Sequence, residues 1–242
     1  MKKRIDRLLV DRGLAESREK AQALIMAGNV LVDNAPATKA GMSVPEDANV
    51  RLKETAHPYV SRGGIKLEGA VRAFDIRVQG RVCLDIGSST GGFSHLLLLN
   101  GAERIYALDV DAQQLDWKIR NNPKVRTIEL NARFLEPCHI GEPVDLVVID
   151  AAFISLTMLL PRIPAVLKNG GECLALVKPQ FEVGRGHVGK GGIVRDSKLQ
   201  RSAVDNVVKT AEGLGLKFIG SEESAITGRE GNREFFVLFK KL

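Results

Sequence analysis

The stretch Cys83-Leu84-Asp85-Ile86-Gly87-Ser88-Ser89-Thr90-Gly91-Gly92-Phe93 constrains the fold of this 242-residue chain more than any other. An apolar run, Arg81 to Leu84, leads into an acid, then a glycine-rich turn, then a helical pattern from about Phe93. In a doubly wound α/β domain this order presents backbone N–H groups to a nucleotide-like cofactor at the carboxyl end of the first strand. The spacing is D-x-G-x-x-x-G-G rather than G-x-G-x-x-G, which favours S-adenosylmethionine over a dinucleotide. A second apolar run, Arg104 to Leu108, ends in Asp109, where an acid can hold ribose hydroxyls. A lone glycine loop is more often a plain connector; strand, acid, glycines and second acid together point to cofactor binding. The candidate cofactor residues are Asp85, Gly87, Ser88, Ser89, Gly91, Gly92, Phe93 and Asp109.

The remainder of the large domain alternates strand and helix. Strands are expected near 81–86, 104–109, 125–130, 144–150, 172–178, 217–222 and 234–240, with helices beginning near Ile154 and spanning about Ser197 to Glu212. Such alternation implies an α/β fold with a Rossmann-like, mostly parallel sheet. The connection from Thr227 to Asn232 is too short for a crossover helix, so the last strand is expected antiparallel to its predecessor, as in methyltransferase sheets.

Residues 1 to about 55 read as a separate small α+β module. Ile5, Leu8, Leu9 and Leu14 mark one short amphipathic helix closed near Gly13; Ser17 caps a second, which ends at Gly28. Short strands follow around Val30 to Val32 and Val50 to Leu52. The strings Arg4-Ile5-Asp6-x-Leu8-Leu9, Ser17-Arg18-x-x-Ala21 and Ile25-x-x-Gly28-x-Val30-x-Val32 resemble the S4 RNA-binding domain. The resemblance implies that Arg4, Arg7, Arg18, Lys20 and Lys39 track an RNA backbone. From charge alone a solvated helix face would be the better reading, because Asp6, Asp11, Glu16 and Glu19 are interspersed. Around His57-Pro58 the chain reads as a linker, residues 56–64, before the catalytic domain, 65–242.

A net charge of +6 permits a polyanionic partner. No apolar run approaches the ~18 residues of a membrane helix, and acids interrupt the basic N-terminus, so neither a membrane partner nor a signal peptide is expected. Cys83, Cys138 and Cys173 lack metal or redox spacing, and the histidines do not complete a metal set. A cytoplasmic protein without a metal is expected; oligomeric state is not legible.

Val144 to Ile149 runs into Asp150, and Cys173 to Val177 runs into Lys178; both charges fall at strand ends, where open α/β sheets bind ligands. Lys66 follows the Gly63-Gly64 pair, and Glu234 follows Gly231-Asn232-Arg233. Here the chain resembles the TlyA, or hemolysin A, family of 2′-O-ribose methyltransferases with an FtsJ-like catalytic domain. The resemblance rests on Ser61-Arg62-Gly63-Gly64-Ile65-Lys66-Leu67-Glu68, the Leu84 to Phe93 loop, Phe153-Ile154-Ser155-Leu156, Val177-Lys178-Pro179-Gln180-Phe181-Glu182 and Gly231-Asn232-Arg233-Glu234. It implies a catalytic tetrad of Lys66, Asp150, Lys178 and Glu234, with ribosomal RNA, at a cytidine, as substrate. His95 stands where the family commonly has an acid and is expected at the cofactor's edge. Methyl transfer to a ribose hydroxyl is an in-line displacement that needs alignment and a proton acceptor. Lys178 is the candidate base, Lys66 its neighbouring charge, and Asp150 and Glu234 orient the amines. The glycine-rich stretch 180–196 is expected as a lid, with Arg185, Lys190 and Arg195 on phosphates and Phe181 stacking on a base; Arg62 is a further RNA candidate. The competing readings are a membrane-active hemolysin, a nicotinamide oxidoreductase and a non-catalytic RNA-binding assembly factor.

Overall fold

The computed structural model describes all residues except Met1, Ala27, residues 53–56 and Arg229, and leaves the side chain of Arg185 undescribed. The chain divides into two compact units, residues 1–58 and 59–242.

In the first unit the elements are β1 (Lys2–Arg4), α1 (Ile5–Asp11), α2 (Arg18–Met26), β2 (Val30–Val32), β3 (Ala35–Pro36), β4 (Ser43–Pro45) and β5 (Val50–Leu52). Ile5, Leu9, Ala21, Ile25 and Val30 form a small buried core. The Ser17 hydroxyl accepts from Lys20 N at 3.2 Å, capping α2 as its position suggests. Gly13 (φ +67°) and Gly28 (φ +70°) turn the chain after each helix in the left-handed region. The antiparallel pairing of β1 with β4 was not anticipated, because Lys2-Lys3-Arg4 shows no apolar alternation.

The second unit contains α3 (Gly63–Ala73), β6 (Val82–Ile86), α4 (Gly92–Leu99), β7 (Arg104–Asp109), α5 (Trp117–Arg120), β8 (Val125–Glu129), α6 (Pro137–Ile140) and β9 (Val144–Ile149). It continues through α7 (Ile163–Val166), β10 (Leu167–Val177), α8 (Pro179–Glu182), α9 (Ser197–Glu212), β11 (Leu216–Glu223) and β12 (Phe235–Lys241). Seven strands form one sheet in the order β11-β12-β10-β9-β6-β7-β8. β10, β9, β6, β7 and β8 run parallel, and β12 is antiparallel to both β10 and β11.

Side-chain alternation buries both faces. Leu84, Ile86, Val147, Ile149, Cys173 and Ala175 lie on one side; Cys83, Leu146, Val148, Leu174 and Leu176 lie on the other. This two-faced burial explains the near-continuous apolar runs. The strand order reverses between β6 and β9, so the ends of these two strands frame a cleft at the switch point.

Two expectations change. The helix expected from Ile154 is instead a chain of short turns, Leu156–Met158, Leu160–Arg162 and α7. Pro161 and Pro164 remove backbone donors there and prevent one continuous helix. β10 also starts five residues early, at Leu167, and reaches Glu172 through a bulge. Of the expected linker 56–64, residue 56 lies outside the described residues. Tyr59 is buried with the large core, and Gly63 and Gly64 open α3.

Candidate active site

The glycine turn after β6 is held by close backbone packing. Gly87 has φ +81°, and a Cβ there would lie 2.6 Å from the Asp150 carbonyl oxygen. Any larger residue would push the end of β9 away from the loop. A Cβ on Gly92 would lie 2.2 Å from Ser61 Oγ and 2.9 Å from Gly64 N. The first turn of α3 therefore rests on the start of α4, and the sequence Ser61-Arg62-Gly63-Gly64 is explained by that approach. One turn further along α3, Lys66 reaches the cleft.

Two cavities flank the loop. One, about 470 Å³, is lined by Ser61, Arg62, Lys66, Gly87, Ser88, Ser89, Gly92, Phe93, Asp150 and Lys178 among others. The other, about 640 Å³, takes in Gly87, Ser89, Asp109, Gln114, Asn131, Arg133, Asp150 and Phe153. Asp109 accepts from Ser89 N at 2.9 Å and Asp111 N at 3.1 Å, which fixes its carboxylate at the wall. A glycine cradle with no room for a Cβ and a carboxylate fixed on the adjoining wall fit the phosphate-free, ribose-bearing S-adenosylmethionine.

Not every expected cofactor residue faces that space. Asp85 is fully buried and lines neither cavity. It accepts from the Ser94 hydroxyl at 2.7 Å, while its Oδ1 has no partner. Burial pushes its carboxyl up to about 7, opposed by the Ser94 hydrogen bond and reinforced by the charges of Asp150 and Asp109. Gly91 likewise lies off the walls; its φ of +93° makes the turn, and a Cβ there would meet Leu115 at 2.8 Å. His95, expected at the cofactor's edge, lines neither cavity: its Nδ1 accepts from Val60 N at 3.1 Å and its ring meets Tyr59 edge-on. Burial lowers its pKa, consistent with an imidazole that accepts.

The four expected catalytic residues form two ion pairs. Lys66 Nζ lies 2.6 Å from Glu234 Oε2, and Lys178 Nζ lies 2.6 Å from Asp150 Oδ1. All four are largely buried, with side chains between 3 and 19% exposed. A third cavity, about 490 Å³, is lined by Lys66, Phe153, Lys178, Gln180, Phe181, Asn232 and Glu234 among others. Both lysines thus border this space and the glycine-loop cavity at once.

Two residues here were quoted within motifs without a role. Phe153 is 92% exposed, sits at φ +64°, and its ring centroid lies 5.3 Å from that of Phe181. An apolar side chain in this backbone region is unusual, and nothing in the string Phe-Ile-Ser-Leu signals it. Glu182 accepts from Leu156 N at 2.8 Å and from the Ser155 hydroxyl at 2.6 Å. It ties the segment after Lys178 to the segment after Asp150, and its burial raises its pKa.

Among the RNA candidates, Arg7, Lys20, Lys39 and Lys190 are exposed. Arg4 and Arg18 are half-exposed and both bind buried Asp6, at 2.9 and 3.1 Å. The hydrogen bond from Arg4, with those from Arg18 and Gln22, holds the Asp6 carboxyl well below the usual range. Arg62 is exposed at the glycine-loop cavity and donates to Thr227 O at 3.2 Å. Among the described residues no group of three potential ligands gathers for a metal, and no helix is long and apolar enough to cross a membrane.

A sheet with this strand order, a glycine turn after β6 and an acid ending β7 define a methyltransferase of the Rossmann-like class. Residues 59–241 match the FtsJ-like methyltransferase family model, and residues 3–50 match the S4 domain. The chain is 45% identical over 236 residues to the 16S/23S rRNA (cytidine-2′-O)-methyltransferase TlyA of Mycobacterium tuberculosis, covering 97% of this chain and 88% of that protein. It is 39% identical to hemolysin A of Brachyspira hyodysenteriae, covering 98 and 99% of the two chains. A Streptococcus thermophilus structure described as a hemolysin superposes with a TM-score of 0.77 at 39% identity, covering 99% of this chain and 88% of the other. The chain belongs to the TlyA family, S-adenosylmethionine-dependent FtsJ-like methyltransferases that carry an S4 domain.

Proposed function

We propose that the protein methylates a ribose 2′-hydroxyl of ribosomal RNA, at a cytidine, in the cytoplasm. The observation that carries this reading is the position of the two ion-paired lysines, Lys66 and Lys178, on the walls of both the glycine-loop cavity and the cavity beyond it. A transferred methyl group must cross such a junction. The relatives' names support ribosomal RNA and cytidine as the substrate.

S-adenosylmethionine, when bound, supplies an electrophilic methyl group on a sulfonium. Asp109 holds its ribose, and the backbone of Gly87, Ser88 and Ser89 holds the remainder. Lys178 is the acceptor of the hydroxyl proton, and the Asp150 carboxylate, 2.6 Å from its Nζ, positions the amine toward the substrate. The Lys66–Glu234 pair fixes the opposite side of the hydroxyl, and the exposed Phe153 ring with the half-buried Phe181 ring beside it offers a stacking surface for the base. The S4 unit supplies RNA affinity through Arg4, Arg7, Arg18, Lys20 and Lys39, and Arg62 and Lys190, exposed on the catalytic unit, add further positive charge there.

The test is to incubate the protein and labelled S-adenosylmethionine with each ribosomal subunit and map the modified nucleotide. A methyl group on one cytidine ribose is expected. Label on a base, or no transfer to either subunit, would overturn the assignment.

A further inference from the structure

Gln180 has no role in the site as described so far. It lies two residues beyond Lys178 on α8 and lines the cavity shared with Phe153, Phe181 and both lysines. Its Oε1 is withdrawn from solvent and meets no hydrogen-bond donor. A buried acceptor without a donor is costly, so one left open on a cavity wall is a place for a ligand's donor.

The other polar side chains of this cavity are already engaged. Asn232 accepts from Val194 N at 2.9 Å and donates to Gly192 O at 2.8 Å. Lys66 pairs with Glu234, and Lys178 with Asp150. Glu230 stands exposed, with water available to it. The turn that carries Gln180 is anchored, because Glu182 fastens α8 to Ser155 and Leu156. An anchored amide beside two aromatic rings suits a flat ring with a polar edge.

We propose that Gln180 reads the edge of the target nucleobase, its Oε1 accepting from an exocyclic amino group. The amide N–H₂ is then left to donate to the adjacent ring nitrogen of cytosine. With the amide oriented as it stands, uracil presents a carbonyl to Oε1 where cytosine presents its amino group, so two acceptors would face each other. Selection of an amino-bearing base follows. This inference rests on the ribose-methylation reading and names the group that selects within it.

The test measures single-turnover methylation of ribosomal subunits carrying either cytidine or uridine at the target position. Wild type is compared with Gln180→Leu and Gln180→Glu, and calorimetric S-adenosylmethionine binding confirms that each variant is folded. Wild type should prefer cytidine by about tenfold or more. Gln180→Leu should bring the ratio close to one through loss on cytidine, and Gln180→Glu, whose second oxygen opposes the cytosine ring nitrogen and can accept uracil's N3–H, should lose the preference as well. The inference is overturned if wild type shows no preference, or if either variant keeps the wild-type ratio. Should wild type transfer no methyl group to either ribose, the ribose-methylation reading itself fails, a result distinct from an unchanged ratio.

Discussion

At the residue scale, two aspartates that look alike in sequence do different work. Asp109 lies on the wall of the cofactor cavity, its carboxylate oriented by two backbone N–H groups. In the proposed function Asp109 binds the cofactor's ribose; a charge-assisted hydrogen bond of that kind is worth about 1.5–3 kcal/mol, so Asp109→Ala should weaken S-adenosylmethionine binding roughly tenfold or more. Calorimetry on the folded variant checks this. Asp85 instead acts beneath the loop. Its carboxyl, pushed up to about 7 by burial, binds its proton more tightly folded than unfolded. That difference favours the folded state at low pH and is lost as pH rises from about 4 to about 7, because the unfolded chain releases the proton first. Asp85→Asn cannot ionise and should lack this decline. Melting temperatures of the two proteins from pH 4.5 to 8 should converge or cross in the variant's favour as pH rises; a constant gap would show that Asp85 does not titrate in that window.

At the scale of elements, the site depends on segments meeting across the sheet. Glu182 joins the turn after β10 to the turn after β9, and these bear Lys178 and Asp150. Glu182→Ala leaves the Leu156 N–H without its acceptor, a loss on the order of 1–3 kcal/mol. The melting temperature should fall and methyl transfer should slow, while Glu182→Gln, which still accepts, should lose less of both. Equal rates for the Ala variant and wild type would remove Glu182 from the site. Much of this architecture was legible in sequence. Apolar runs ending in Asp109, Asp150 and Lys178 marked the strand ends, because parallel strands buried on both faces place most of their charge at the edges, whereas Asp85 lies buried inside β6. What stayed hidden depends on three-dimensional approach. The orphaned Gln180 carbonyl, the exposed Phe153 and the Glu182 tie exist only once distant turns are brought together. Asp85 and His95, expected at the cofactor from their neighbours in the chain, line neither cavity beside the glycine loop, because alternation on a strand and rotation on a helix decide direction.

At the scale of the whole molecule, chemistry and RNA affinity are assigned to separate units. A chain lacking residues 1–58 keeps the seven-stranded sheet and all four tetrad residues. It should fold and bind S-adenosylmethionine yet methylate its RNA poorly, and the intact protein's RNA affinity should fall steeply with salt as neutralised phosphates release counterions. Full methylation by the truncated chain would give the S4 unit another purpose. Whether Lys178 serves ribose methylation is decided by single-turnover transfer of labelled methyl to a ribosomal subunit. Wild type, Lys178→Ala and Lys178→Arg are compared, followed by digestion of the RNA to nucleosides. Label should appear in a 2′-O-methylated nucleoside with wild type, and both variants should bind cofactor yet lose about 100- to 10,000-fold in rate, since arginine keeps the charge but gives up no proton near neutral pH. Label on a base, or a Lys178→Arg variant that retains most of the rate, would contradict the account.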